Sequence, residues 1–238
     1  MKLALVTGGK RRVGAAIAER LAADGWTLAL HSHHDVADEA SYTDAQSFVA
    51  DLAVPDAADR LIGEVSAHFG APPTLLVNNA SRFEWDDAAS MTPESLADHH
   101  AVNAATPVLL IIALSKTEAT GCVVNILDQR IRNPNGDQLA YTLSKTALAG
   151  ATRTLAAALA PRWRINAVAP GLTLPTADYD EAAMARVTAL MPLERLSQPE
   201  DIAEAVAYLT GARAVTGQTI FVDGGASLKS FDRDFVFL

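Results

Sequence analysis

Short apolar runs alternate along this chain with longer stretches of helical periodicity, and that alternation restricts the fold more than any other feature. Runs at 3–6, 27–30, 47–49, 74–77, 123–127, 164–168 and 219–222 read as seven strands, and helical patterns fill about 13–24, 56–69, 93–115, 140–160 and 199–210. Strands apolar on both faces and separated by helices belong to a parallel sheet covered on both sides.

Composition agrees. Half of the 238 residues are apolar, 20% are charged and few are aromatic, which suits helices packed on a sheet better than a sandwich with bulky inner faces. Right-handed crossovers then predict one Rossmann-like, doubly wound α/β domain over 1–238, with a cofactor half over about 1–120 and a catalytic and substrate half over about 121–238. Two places interrupt the regularity. The stretch 35–45 leaves room for a short helix at most, and 172–196, with Thr173, Leu174, Pro175 and Tyr179, is long enough for a lid that shapes the choice of substrate.

A net charge of −9, from 28 acidic against 19 basic residues, opposes nucleic acid and anionic membranes as partners. The single cysteine, Cys122, lies in an apolar run and reads as a buried strand residue, so no disulfide forms within the chain. The segment 3–6 is too short for a signal sequence and no apolar stretch is read as membrane-spanning, which predicts a cytoplasmic protein.

The first strand runs into Thr7-Gly8-Gly9-Lys10-Arg11-Arg12-Val13-Gly14, and a helix follows. Glycines there let the backbone approach a pyrophosphate seated on the N–H groups that open the helix, although such a turn also occurs as plain structure. The spacing resembles the Thr-Gly-x-x-x-Gly-x-Gly turn of short-chain dehydrogenases/reductases, with Arg12 in place of the middle glycine. Asp51-Leu52, Asn78-Asn79-Ala80, Asn103, Tyr141-x-x-x-Lys145, Pro170-Gly171 and Val222-Asp223-Gly224-Gly225 follow in that family's order, so the resemblance covers nearly the whole chain.

The resemblance implies a nicotinamide dinucleotide held by Gly8, Lys10, Arg11, Arg12, Val13, Gly14, Asn79, Ala80, Ser81, Pro170, Gly171 and Leu172. It implies that Asp51 and Leu52 take the adenine, and that Asn78 and Ala80 line the ribose side of the nicotinamide. Plainer readings stand beside these: Asn78-Asn79 as a strand end, and Asp51 as a helix cap. At the end of the second strand, Ser32 stands where an acid would grip the 2′-hydroxyl of NAD. Arg11 and Arg12 supply positive charge, and His31, Ser32, His33 and His34 supply hydrogen bonds, so the expected cofactor is NADPH/NADP, with Asp35 the opposing charge. Together with Asp35 and Asp38, the histidines complete no sensible tetrahedral set, and no metal is expected.

Tyr141 and Lys145 share one helix face. An ordinary tyrosine, with a pKa of about 10, is a poor proton shuttle at neutrality, and a nearby ammonium is expected to lower that value. Such pairs also occur on solvated helix faces. The resemblance implies that both are catalytic, that Lys145 binds the nicotinamide ribose, and that Asn103 holds a relaying water; Asn103 equally suits a broken helical turn.

Asp128 lies 13 positions before Tyr141, where the family usually carries a serine. A carboxylate there opposes the alkoxide of a reduced ketone and suits a substrate nitrogen that must gain a proton. Arg12, the run Asn78-Asn79-Ala80-Ser81 followed by Phe83, and Asp128 together resemble the pteridine reductases. That resemblance implies a pterin stacked between Phe83 and the nicotinamide, its polar edge met by Arg12 and Ser81, with Tyr141 and Asp128 managing protons. Phe83 as packing, Arg12 as a phosphate ligand only, and Asp128 as a solvated loop residue beside Arg130 and Arg132 remain open. His33-His34-Asp35 also departs from the basic residue of that subgroup's phosphate pocket.

Two other functions fit the sequence: a carbonyl reductase or secondary-alcohol dehydrogenase of the same family, and a non-catalytic NADP-binding redox sensor, which the intact Tyr141, Lys145 and Asn103 oppose. The family commonly forms tetramers, so a homotetramer is expected through the helices at about 93–115 and 140–160 and the last strand. Ala147, Gly150, Ala151, Ala157 and Ala158 suit that contact or packing on the chain's own sheet. The tail 230–238, with Phe231, Phe235, Val236, Phe237 and Leu238, is apolar enough to dock on a neighbouring subunit or near a cleft.

Overall fold

A computed structural model describes residues 1–35, 45–174 and 180–237. Seven strands, β1 (Leu3–Thr7), β2 (Thr27–Ser32), β3 (Ala45–Val49), β4 (Leu75–Asn78), β5 (Gly121–Ile126), β6 (Trp163–Pro170) and β7 (Thr219–Val222), form one sheet. Every pairing is parallel, in the order β3-β2-β1-β4-β5-β6-β7.

The apolar runs explain the layers. Successive side chains leave a strand on opposite faces, and here both faces are covered. Leu3, Leu5, Leu76, Val123 and Ile165 pack with α2 (Ala57–Phe69), α4 (Thr106–Ser115) and Ala156 of α5 (Leu139–Leu159). Ala4, Val6, Leu28, Val77 and Val124 pack instead with α1 (Arg12–Ala23) and α7 (Pro199–Gly211). Cys122 belongs to this second layer, and burial pushes its thiol up to about 11, which keeps it inert.

The predicted helix at 93–115 is interrupted. Thr92 caps α3 (Pro93–His100) in a capping box, a π turn spans Ala101–Ala105, and α4 follows. Pro93–Ser115 is 23 residues and contains an 18-residue window of mean hydropathy 1.2, long and apolar enough to cross a bilayer by length and composition. That corrects the expectation that no such stretch exists. Its apolar half has a different use: Leu110, Ile111 and Leu114 are buried against the sheet.

In the lid region, α6 (Glu181–Leu190) starts at Asp180, whose carboxylate accepts from Ala183 N at 2.7 Å. Pro175 and Tyr179, Asp38 with most of the short crossover, and Leu238 lie outside the described residues. The strand order reverses between β1 and β4, and the carboxyl ends of these strands open onto a cleft, as expected for a doubly wound sheet.

Candidate active site

The cleft, about 430 Å³, is lined by the β1–α1 turn, the ends of β4, β5 and β6, and α5. At its floor the Gly-rich turn is braced from two sides. Thr7 Oγ1 accepts from Asn79 N at 2.9 Å and Ala80 N at 3.0 Å, and Asn79 Nδ2 donates to Thr7 O at 3.0 Å and Gly8 O at 3.1 Å. A Cβ on Gly14 would fall 2.0 Å from Gly8 O, so the helix start approaches the turn more closely than any side chain allows. Arg12 holds the left-handed φ of 54° that its glycine position in the motif requires. The N-cap of α1, Arg11, makes no side-chain capping bond, and the N–H groups that open a helix suit an anion. Gly8, Arg11, Arg12, Val13 and Gly14 line the cleft, and this cradle fits a dinucleotide pyrophosphate.

Several sequence-predicted binding residues sit elsewhere. His31 is buried, accepting from Gly8 N at Nδ1 (3.3 Å) while Nε2 meets Ala50 O at 2.9 Å. Burial lowers its pKa, so it is a neutral strut under the turn rather than a donor to a 2′-phosphate. Ser32 is buried too, its hydroxyl donating to His34 O at 2.7 Å. The reason is backbone pairing: β2 extends through Ser32 beside β3, so the two side chains leave on opposite faces of a sheet covered on both sides. Lys10 is buried and is not among the cleft-lining residues. Exposed His33 stacks near His34 and approaches Asp51 at 3.7 Å, while Asp51 accepts from Ala53 N at 2.9 Å, closing a turn. Leu52 is buried, and its carbonyl accepts from Thr106 Oγ1 at 2.6 Å. Asn78, expected at the cleft wall, is buried and donates to Asn125 Oδ1 at 2.8 Å, tying β4 to β5.

The chemical end is compact. Tyr141 Oη donates to Asp128 Oδ2 at 3.1 Å, and Asp128 Oδ1 accepts from Arg130 N at 2.9 Å. Phe83 and Tyr141 meet edge to face, with centroids 4.8 Å apart. Asn103, in the π turn, accepts from Ser81 Oγ (3.1 Å) and Arg82 N (2.7 Å) and donates to Arg82 O and to Ser144 Oγ (2.9 and 3.0 Å). Its side chain therefore pins the Ser81–Arg82 loop to α5, the broken-turn role. Ser81, Phe83, Asp128, Lys145, Pro170, Gly171 and Leu172 all face the cleft.

The expected electrostatics differ from those found. Burial first, then the charge of Asp128 and its hydrogen bond, push the Tyr141 phenol well above its usual value, and Arg130 opposes them. Lys145 Nζ instead donates to Ile126 O at 2.9 Å and lies 5.6 Å from the Tyr141 ring centroid. Burial lowers its pKa to about 8 from 10.5, partly offset by Asp128. A lysine lowered in the folded state destabilises the protein at pH values below about 8, and the penalty fades as pH rises towards 10.5. Lys145→Met is therefore expected to stabilise the protein at pH 7 by about 2 kcal/mol, the lowered pKa minus one lost hydrogen bond. Thermal melts at pH 7 and pH 10 check this: the gain must shrink at the higher pH.

Sequence reasoning missed Gln129 and Arg130 as cleft residues; Leu174 of the expected lid and Phe235 of the apolar tail line the cleft as well. Apolarity of the tail was the available signal, and the tail does dock beside the cleft of its own chain. Phe235 packs with Val187, Met191, Leu196 and Phe231, and Phe237 meets Trp85 at 5.2 Å.

Comparison with known proteins adds the lineage. Residues 8–227 match the family described as Enoyl-(Acyl carrier protein) reductase. The crystal structure of FolM Alternative dihydrofolate reductase 1 from Brucella canis, complexed with NADP, is 37% identical with a TM-score of 0.85, covering 98% of this chain and 96% of that one. A Streptomyces violaceoruber protein named as a ketoacyl reductase of the granaticin polyketide synthase is 35% identical over 241 residues, 95% of this chain and 96% of the relative. The 3-oxoacyl-[acyl-carrier-protein] reductase FabG of Staphylococcus epidermidis is 31% identical over 248 residues, 94% and 98% of the two chains. With its Rossmann-like sheet, its glycine cradle and its Tyr141/Lys145 pair beneath the cleft, the chain belongs to the short-chain dehydrogenase/reductase family of oxidoreductases.

Proposed function

We infer that this protein uses NADPH to reduce a C=N bond in a pterin-like nitrogen heterocycle. The observation that carries the reading is the 3.1 Å hydrogen bond from Tyr141 to Asp128, a carboxylate at the reacting end of the cleft. The NADP held by the Brucella canis structure, together with the glycine cradle here, supports the cofactor.

When bound, NADPH supplies a hydride. Gly8, Gly14 and the start of α1 hold its pyrophosphate, and Arg11 and Arg12 add positive charge. The Tyr141 phenol, kept protonated by burial and by Asp128, gives its proton to the ring nitrogen as the adjacent carbon gains the hydride. Asp128 accepts hydrogen bonds from N–H groups of the heterocycle, and Phe83, half exposed on the cleft wall, stacks against its face. Lys145 keeps the phenol's neighbourhood positive, and Asn103 fixes the loop that carries Ser81. A homotetramer and a cytoplasmic location belong to the same reading.

A second reading, reduction of a carbonyl, rests on the FabG and ketoacyl reductase relatives. An acceptor screen separates the two, following NADPH oxidation with dihydrobiopterin, dihydrofolate and a ketoacyl thioester. Turnover of the pterins by at least tenfold over the thioester is expected; the reverse preference establishes the second reading, and tight NADPH binding without turnover leaves a redox sensor.

A further inference from the structure

Arg130 is a buried cation on the wall of the cleft, its side chain 10% exposed. Its Nη2 is ion-paired with buried Asp234 of the C-terminal segment, and its Cζ lies 6.0 Å from the Tyr141 ring centroid. Its Nη1 is also buried and, among the described residues, meets no acceptor. An unmet guanidinium donor is costly, more so than a neutral one. Such a group persists at a cleft wall when a ligand completes it.

The tail is built to hold this arrangement. Asp234 N donates to Asp137 Oδ2 at 2.7 Å, Arg233 Nε donates to the same oxygen at 2.9 Å, and Phe235 then turns into the cleft wall. Asp128 and Asp234 keep Arg130 charged against its burial. With two carboxylates already facing one guanidinium, a further anion would be repelled, whereas a neutral carbonyl oxygen satisfies the donor without added charge.

We propose that Arg130, clamped by Asp234, is a specificity-determining residue that donates from Nη1 to a neutral carbonyl oxygen of the substrate. The tail thereby becomes part of the substrate site. This rests on the pterin reading, whose ring oxo group is the fitting acceptor, and it assigns that group's partner.

The test compares the wild type with Arg130→Met, Arg130→Lys and Asp234→Asn, using dihydrobiopterin as substrate and a 2,4-diaminopteridine, which lacks the oxo group, as competitive ligand. Arg130→Met is expected to raise KM for dihydrobiopterin by about tenfold to a hundredfold, with a smaller change in kcat. Binding of the diamino compound and of NADPH should stay within about twofold. Arg130→Lys should recover part of the loss, and Asp234→Asn should show a weaker loss in the same direction. An unchanged KM, or an equal loss for oxo and diamino ligands, overturns the proposal. If Arg130→Met does not fold, the other two variants decide by the same ratio. If the wild type neither binds nor reduces any pterin, it is the pterin reading that fails, and KM for a ketoacyl thioester in the same variants then decides the role of Arg130.

Discussion

Tyr141→Phe is expected to lower kcat by about 10³-fold while NADPH affinity stays within about threefold. The phenol faces the cleft and holds its proton at neutral pH, because burial and Asp128 raise its pKa. Phenylalanine keeps the ring, its edge contact with Phe83 and its place on α5, so the walls of the cleft remain. Only the proton donor is lost. The raised phenol also fixes the sign of the pH dependence: the donor itself does not ionise on the alkaline side until far above neutrality, so the first alkaline loss of rate belongs to Lys145, near pH 8. Steady-state rates from pH 6 to 10, with a fluorescence titration of NADPH, check both points. A near-normal rate in the variant removes Tyr141 from the chemistry.

The sheet was legible because strands buried on both faces must be apolar throughout, and each of the seven runs lies within or overlaps an observed strand. The π turn was legible only as one role open to Asn103, a broken helical turn. Nothing in Ala101–Ala105 forbids a regular helix, and the break is held by Asn103 reaching Arg82 and Ser144, contacts 21 and 41 positions away. Tyr141 and Asp128 were legible as a pair through the family resemblance, in which a serine usually stands 13 positions before the tyrosine. Their electrostatics were not: a lysine four residues on says nothing of where its ammonium points, and here it turns to Ile126 O. His31 and Ser32 show the same limit, since polarity at a strand end gives no direction. Arg130 is the largest omission, because its partner lies 104 positions along the chain and only the folded tail brings them together.

Asp128→Ser is expected to cut pterin reduction by about 10²-fold and to raise the rate with a ketoacyl thioester. The argument turns on which charge develops. A ketone accepting hydride becomes an alkoxide, and a carboxylate hydrogen-bonded to the proton donor at 3.1 Å opposes that charge. A ring nitrogen gaining a proton develops no such anion, and the carboxylate stabilises the N–H groups around it. Serine removes the opposing charge, supplies a neutral donor, and lets the Tyr141 pKa fall, since both the charge of Asp128 and its hydrogen bond raise it. Arg130 then loses one of the two carboxylates that hold it charged, but Asp234 remains, so the wall of the cleft should keep its shape. The variant's alkaline rate limit should move to lower pH, because Asp128 also holds the Lys145 pKa up against its burial. Rates for the two acceptors across that range decide the matter: pterin reduction that survives the substitution intact means the carboxylate has no part in choosing the substrate.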